Sequence, residues 1–199
     1  MKLIVFGATG ATGLSLIDQA LAAGHEVTAF VRSPFESRAQ VVQGSVLDPA
    51  QVEAAIRGHD AVFSCLGTRP WRHTDICSQG IASILPAMQA AGVRRLIAMS
   101  TQGIGDSKVG AFARVGVALV LRKAFADKAR MEDKIAATDL DWIVVRPGLL
   151  NNGNARGTWR AADDGSLVGG RICRADTAAF MLQQIESTVW SRRRPVVVW

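Results

Sequence analysis

The chain has no tyrosine, three cysteines, and 17 acidic residues against 23 basic ones in a length of 199. Each shortage excludes something. Without tyrosine no phenol is available to exchange protons with a substrate. Cys65, Cys77 and Cys173 are odd in number and show no C-x-x-C spacing, so they read as free thiols in a reducing compartment rather than a disulfide framework or a zinc site. No metal is expected, and a cytoplasmic location is. Long hydrophobic runs are missing too: the longest weakly polar stretch, Val109 to Leu121, spans 13 residues and is interrupted by Arg114. A membrane span needs roughly 18, so none is expected. Met1-Lys2 leads directly into a short apolar segment and a Gly-rich turn, which predicts no secretory leader. The deficit of acids leaves a net charge of +6, suited to an anionic ligand but too diffuse to indicate nucleic acid. Arg192-Arg193-Arg194 beside Trp190 reads as a solvated turn before a last strand rather than a nucleic-acid patch.

What is present is ordinary globular composition, 49% apolar and 20% charged, in a length that fits one domain. Short apolar runs alternate with helical spacing from the first residue. Leu3 to Phe6 reads as a strand, and Leu14, Ile17 and Leu21 as the stripe of a helix ending at Gly24. Val27 to Val31 and Gln40 to Val42 read as the next two strands. Asp48-Pro49 opens a helix with proline at its first position, and Ala61 to Ser64 follows as a strand. A helix over about 76–91 ends at Gly92; Leu96 to Met99 is a strand, a long helix covers about 124–137, and Trp142 to Val145 is a strand that Pro147-Gly148 stops. The remainder holds a polar Asn/Gly-rich segment (Asn151 to Gly157), a helix near 175–186 and a closing strand, Val196 to Val198. Strand-helix alternation of this kind predicts an α/β, three-layer αβα fold around a doubly wound parallel sheet. We expect one domain over 1–199, in which a small region of about 149–199 covers the substrate. That region is too short to enclose a substrate as bulky as a nucleotide sugar.

Gly7-Ala8-Thr9-Gly10-Ala11-Thr12-Gly13 places three glycines at i, i+3 and i+6, directly after a strand and at the start of a helix. The first permits a tight turn, the second lets backbone N–H groups approach a pyrophosphate, and the third lets helix and strand pack closely. The helix N-terminus adds its positive end. In this context the turn predicts a dinucleotide-binding Rossmann fold. An acid at the end of the second strand would select NAD, yet Val31-Arg32-Ser33-Pro34 stands there. Arg32 is a fork-shaped cation suited to a 2′-phosphate, assisted by the Ser33 hydroxyl, so NADP(H) is expected, with NAD(H) left possible.

Further motifs follow in order: Ala22 to Val27 leading to Val31-Arg32, Gly58-His59-Asp60-Ala61-Val62, Leu66-Gly67-Thr68-Arg69, Gly80, Ala87-Met88, Ala91-Gly92-Val93, Ser100-Thr101, Leu140-Asp141-Trp142 and Arg146-Pro147. Over nearly the whole chain this series resembles the atypical short-chain dehydrogenase/reductase family with NAD(P)H-binding, NmrA-like domains, and Leu-Gly-Thr-Arg points to its flavin-reductase branch. The resemblance implies that Gly7, Thr9, Gly10, Ala11, Thr12 and Gly13 hold the pyrophosphate, while Ser45 and Val46 lie beside the adenine. It implies that Leu66, Gly67 and Thr68 line the nicotinamide ribose and that Pro147 and Leu149 wall the nicotinamide. Thr101 takes the place of an active-site serine, and Lys128 and Glu132 match a Lys-x-x-x-Glu pair.

Members of the larger family use a Tyr-x-x-x-Lys pair for alcohol chemistry, but Ala124 stands four residues before Lys128. Hydride transfer to a conjugated acceptor is less demanding, because the product anion takes its proton from water and positioning does most of the work. A planar acceptor of flavin or quinone type is therefore expected. Ser100, Thr101 and Lys128 are the catalytic candidates, and Trp71, Arg72 and His73 are candidate acceptor contacts. Lys128 and Glu132 also fit a plain surface ion pair, and Ser100 or Thr101 a turn cap. Cys65 reads as a small core residue. The rival from another class is a non-catalytic NADP(H) sensor. The partner is expected to be a small molecule, neither membrane nor nucleic acid, and the assembly a monomer or small homo-oligomer.

Overall fold

The computed structural model of the chain describes residues 1–67, 75–105, 107 and 122–199. Its elements run β1 (Lys2–Phe6), α1 (Ala11–Ala22), β2 (Glu26–Val31), β3 (Gln40–Gln43), α2 (Pro49–Ile56), β4 (Ala61–Ser64), α3 (Ile76–Ala90) and β5 (Arg95–Met99). They continue with α4 (Arg122–Ala136), β6 (Asp141–Pro147), β7 (Leu149–Asn151), β8 (Arg160–Ala162), β9 (Arg171–Cys173), α5 (Arg174–Gln183) and β10 (Val196–Val198). Eight strands form one sheet in the order β3-β2-β1-β4-β5-β6-β10-β8. All neighbours are parallel except β8, which runs antiparallel to β10. The first six positions are the doubly wound order of a Rossmann fold, whose direction of winding reverses between β1 and β4. Ligands bind at that switch point, outside the carboxyl ends of the strands.

Both faces of the sheet are covered, which is why β1, β4 and β6 read as continuous apolar runs. Ile4, Phe6, Val62, Leu96, Trp142 and Val144 pack with α2, α3 and α4 on one face, and Leu3, Val5, Phe63, Ile97, Ile143 and Val145 with α1 and α5 on the other. Alternate residues of each strand thus serve opposite layers. Phe63 and Phe6 are fully buried, each worth about 1.5–3 kcal/mol by the area it removes from water.

Several expectations need correction. The buried stripe of α1 is Gly13, Leu16, Ile17 and Ala20, while Leu14 faces solvent. The helix packs against α5, β2 and β1, and Leu14 lies on the side away from them. β6 extends two residues past the expected Val145 and ends at Pro147, after which Gly148 donates to the Val197 carbonyl at 3.0 Å and β7 begins. Proline is tolerated there because a parallel neighbour supplies alternate bonds to Arg146 and Gly148 on either side. The triple arginine is only partly solvated: Arg193 pairs with Asp163 at 3.2 Å, and the Arg194 side chain lies 3.5 Å from Glu132 and over the ring of Trp142.

Candidate functional site

The glycine turn follows β1 and touches the segment that follows β4. Gly7 has φ +78°, and a Cβ on it would lie 2.5 Å from the Cys65 carbonyl carbon. A Cβ on Gly13 would lie 2.4 Å from the Gly7 carbonyl oxygen. Both positions are therefore closed to any side chain. Gly10 donates to the Gly7 carbonyl at 3.0 Å and stands at the N-cap of α1 in an extended conformation, with no side chain capping the helix and no acid in its first turn. The contrast with the other helices is informative. Asp48 caps α2 through Ala50 N–H and Gln51 N–H. The Asp127 carboxylate, reaching across from α4, accepts from Cys77 N–H at 2.9 Å and Ser78 N–H at 3.0 Å at the start of α3. The Cys173 thiol caps α5. Of the four helices whose starts are described, α1 alone presents a bare positive end, and it does so at the switch point, where an anion's charge is best accommodated.

Across the crevice, Lys128 of α4 is half-buried and donates from Nζ to the Met99 carbonyl at 2.7 Å and the Leu66 carbonyl at 3.2 Å. It thus clamps the carboxyl ends of β5 and β4. Glu132, one turn on, does not pair with it: Glu132 is buried and holds Arg146 of β6 through contacts of 2.7 and 3.2 Å. The surface-pair reading of Lys128 and Glu132 is overturned. α4 faces the sheet along this side, so the lysine is drawn to the strand-end carbonyls and the acid to a buried guanidinium. Beside the clamp, the hydroxyls of Ser64 and Ser100, at the ends of β4 and β5, are buried and make no hydrogen bond among the described residues. Thr101 Oγ1 donates to the Gln102 carbonyl at 3.3 Å and is half-buried.

The remaining predicted residues fall around the same edge. Arg32 and Ser33 are exposed just past β2, and Arg32 has no side-chain partner among the described residues. Ser45 and Val46 lie past β3. The Ser45 hydroxyl accepts from Leu47 N–H at 3.2 Å, and Val46 lies 3.2 Å from where a Cβ on Gly80 would stand. Leu66 and Gly67 follow β4, Thr9, Gly10 and Ala11 are exposed on the turn, and Thr12 is buried. Pro147 is buried, while Leu149 is 75% exposed beyond it. Thr68, Trp71, Arg72 and His73 lie outside the described residues. Cys65 and Cys77 are core thiols: burial pushes Cys65 up to about 12 and Cys77 up to about 11, against the opposing pull of the Lys128 charge. Neither is a nucleophile at neutral pH.

A profile of the NAD(P)H-binding family matches residues 7–188. The chain belongs to that family. Its cofactor is NAD(P)(H), and the bare start of α1, the cradle at Gly7 and Gly13 and the uncommitted Ser100 hydroxyl fit such a group. Relatives named as reductases include the 2-alkyl-3-oxoalkanoate reductase of Shewanella oneidensis, 33% identical over 73% of this chain and 44% of its own length. Another similar sequence is an uncharacterized sugar epimerase, YhfK, of Bacillus subtilis, 26% identical over 94% of this chain and 88% of its own. An uncharacterized protein of Mycobacterium tuberculosis is 28% identical over 75% of this chain, which spans 15% of that protein's length. Among solved structures, ChuY, an anaerobillin reductase of Escherichia coli O157:H7, superposes with a TM-score of 0.87 at 23% identity, covering 100% of this chain and 97% of its own. A putative exported protein of Burkholderia pseudomallei gives 0.86 at 24% identity, covering 100% of both chains. These likenesses show the fold. No helix among the described residues is long and apolar enough to cross a membrane.

Proposed function

We propose that the chain is an NADP(H)-dependent reductase acting on a planar conjugated acceptor of flavin or quinone type, with 1–199 forming one dinucleotide-binding domain. The observation that carries this reading is the pairing of an uncapped α1 start with the Lys128 clamp on the facing strand ends, in a chain without tyrosine. In this reading Gly7, Thr9, Gly10, Ala11, Thr12 and Gly13 seat the pyrophosphate against the helix start, and Arg32 and Ser33 take the 2′-phosphate. Ser45 and Val46 flank the adenine. Leu66, Gly67 and Thr68 line the nicotinamide ribose, and Pro147 and Leu149 back the ring.

When bound, the reduced cofactor supplies a hydride; the acceptor's second reducing equivalent arrives with it, and one proton completes the reduction. The chain's own contribution is position. Lys128 uses two of its three N–H donors on Leu66 and Met99, which leaves the third for a ligand. The buried Ser100 hydroxyl, lacking a partner, and Thr101 beside it orient the carboxamide or the acceptor. Water supplies the proton, so no buried acid is required.

The test is steady-state NADPH oxidation against FMN, riboflavin and a small quinone, with Thr101→Ala and Arg32→Ala alongside. Turnover that falls in Thr101→Ala, with NADPH weakened far more than NADH in Arg32→Ala, supports the reading. Tight NADPH binding without turnover on any acceptor transfers the protein to the sensor class, in which occupancy alters affinity for a partner.

A further inference from the structure

Beyond β6, at the carboxyl ends of β7 and β10, lies an open groove of about 560 Å³ whose lining includes Asn151, Asn154, Arg156, Arg171 and Trp199. Its construction is unusual for a surface depression. Asp176, at the start of α5, is buried and accepts from Arg156 N–H at 2.9 Å, Gly157 N–H at 3.1 Å and the Trp199 indole N–H at 2.7 Å. One carboxylate thus pins both the loop and the ring. With its oxygens taken, Asp176 leaves the Arg156 guanidinium over the Trp199 ring, 3.9 Å from its centroid. Arg171, the first residue of β9, lines the same groove and is exposed. Neither guanidinium has a salt bridge or hydrogen-bonded acceptor among the described residues. Arg174, nearby, is engaged with Asn152 at 2.6 Å, and Arg160 with the Trp199 carbonyl at 2.9 Å.

We propose that this groove is an anion subsite that binds a carboxylate carried on a planar conjugated ring system. The identification of that molecule as the acceptor rests on the reductase reading above. Two guanidinium forks without acceptors among the described residues suit the bidentate geometry of an oxyanion, and a guanidinium and the Trp199 indole beside it both suit an aromatic ring. Carboxylate is favoured over phosphate because the helix N-terminus that a phosphate site ordinarily recruits is spent here: the start of α5 is capped by the Cys173 thiol and carries Asp176. Position argues for the acceptor. Asn151 lies two strand residues past Leu149, a span of about 7 Å at roughly 3.3 Å per residue, so a ring held against the nicotinamide wall reaches the groove with a short acidic arm.

The test is calorimetric titration of the whole chain, saturated with NADP⁺, with 2-naphthoate, 2-naphthalenemethanol and 2-naphthyl phosphate. One-to-one binding of 2-naphthoate is expected, weakened about tenfold or more in Arg156→Gln and in Arg171→Gln, as loss of a charge-assisted fork predicts. Arg38→Gln, which removes a guanidinium paired with exposed Asp18, serves as the control. Equal binding of the neutral alcohol, insensitivity to both arginine changes, or tighter binding of the phosphate overturns the proposal. Competitive inhibition of quinone reduction by 2-naphthoate supports the acceptor assignment, and binding that leaves reduction uninhibited removes it. Arginine-dependent binding in a protein that reduces nothing keeps the subsite and sinks the reductase reading alone.

Discussion

Replacing Lys128 by Met separates the two jobs the clamp performs. The change keeps most of the apolar stem of the side chain but deletes the bonds to Met99 at 2.7 Å and Leu66 at 3.2 Å, the only cross-links from α4 to the ends of those two strands among the described hydrogen bonds. A hydrogen bond to a charged group is worth about 1.5–3 kcal/mol net. The amine is half-buried, so water recovers part of that loss at both carbonyls, and a total of about 2–3 kcal/mol is expected. For a chain near 200 residues each kcal/mol moves Tm by about 2–4 °C, which puts the variant about 4–12 °C below wild type by calorimetry or far-UV melting. Cofactor affinity is measured separately, at a temperature where both proteins are folded, by nicotinamide fluorescence. If the third N–H donor reaches the bound dinucleotide, Kd for NADPH rises at least tenfold. A Tm within about 1 °C of wild type refutes the clamp. A lowered Tm with unchanged Kd leaves the clamp standing and removes Lys128 from the cofactor site.

Gly13→Ala places a methyl where 2.4 Å separates it from a backbone oxygen, so the turn must move; urea denaturation should report a loss of about 1–3 kcal/mol, as for other overpacked sites, together with lost NADPH binding. Burial pushes the Asp176 carboxyl up, but the hydrogen bonds from Arg156, Trp199 and Gly157 outweigh it and hold it below the usual carboxylate range. Its stabilising contribution is therefore complete above the unfolded pKa of about 3.9 and is lost as pH falls through the lower folded value. The urea midpoint of Asp176→Asn should accordingly fall less steeply below about pH 4 than that of wild type; parallel curves would refute this. With Cys65 raised to about 12 and Cys77 to about 11, folding is favoured while both thiols are neutral and weakens as pH rises past the ordinary thiol value. Maleimide labelling at pH 8 should track global unfolding for both, and fast labelling of the folded chain would contradict their burial.

Much of the fold was legible because long parallel strands buried on both faces leave an unmistakable apolar run, and β4 was read to the residue. Helix boundaries were legible where local chemistry dictates them, at Asp48-Pro49 and at Gly24, whose φ of +83° only glycine adopts freely. What could not be read is tertiary in origin. β7, β8 and β9 are three residues each, LLN, RAA and RIC, with no alternation to betray them. They exist because β8 finds β10 and β7 finds β9, partners that no local window contains.

The site divides in the same way. A glycine turn announces itself because its constraint is steric and local, whereas the residues that stabilise its surroundings act at a distance. Asp127 and Asp176 were both missed, and each caps or braces an element far away in sequence, the one 50 and 49 residues from Cys77 and Ser78, the other 23 from Trp199. Yet a signal was present for the first. Asp127, Met131 and Ile135 recur at i, i+4 and i+8 along α4 and are all buried. A carboxylate in line with an apolar stripe is carried into the core, where it must find donors or destabilise the fold. The neighbouring row, Lys128 and Glu132, obeys the same logic one step around the helix. Three charged positions on one polar helix therefore specify where its partners must lie: helix N–H groups for the first acid, strand-end carbonyls for the lysine, and a buried guanidinium for the second acid.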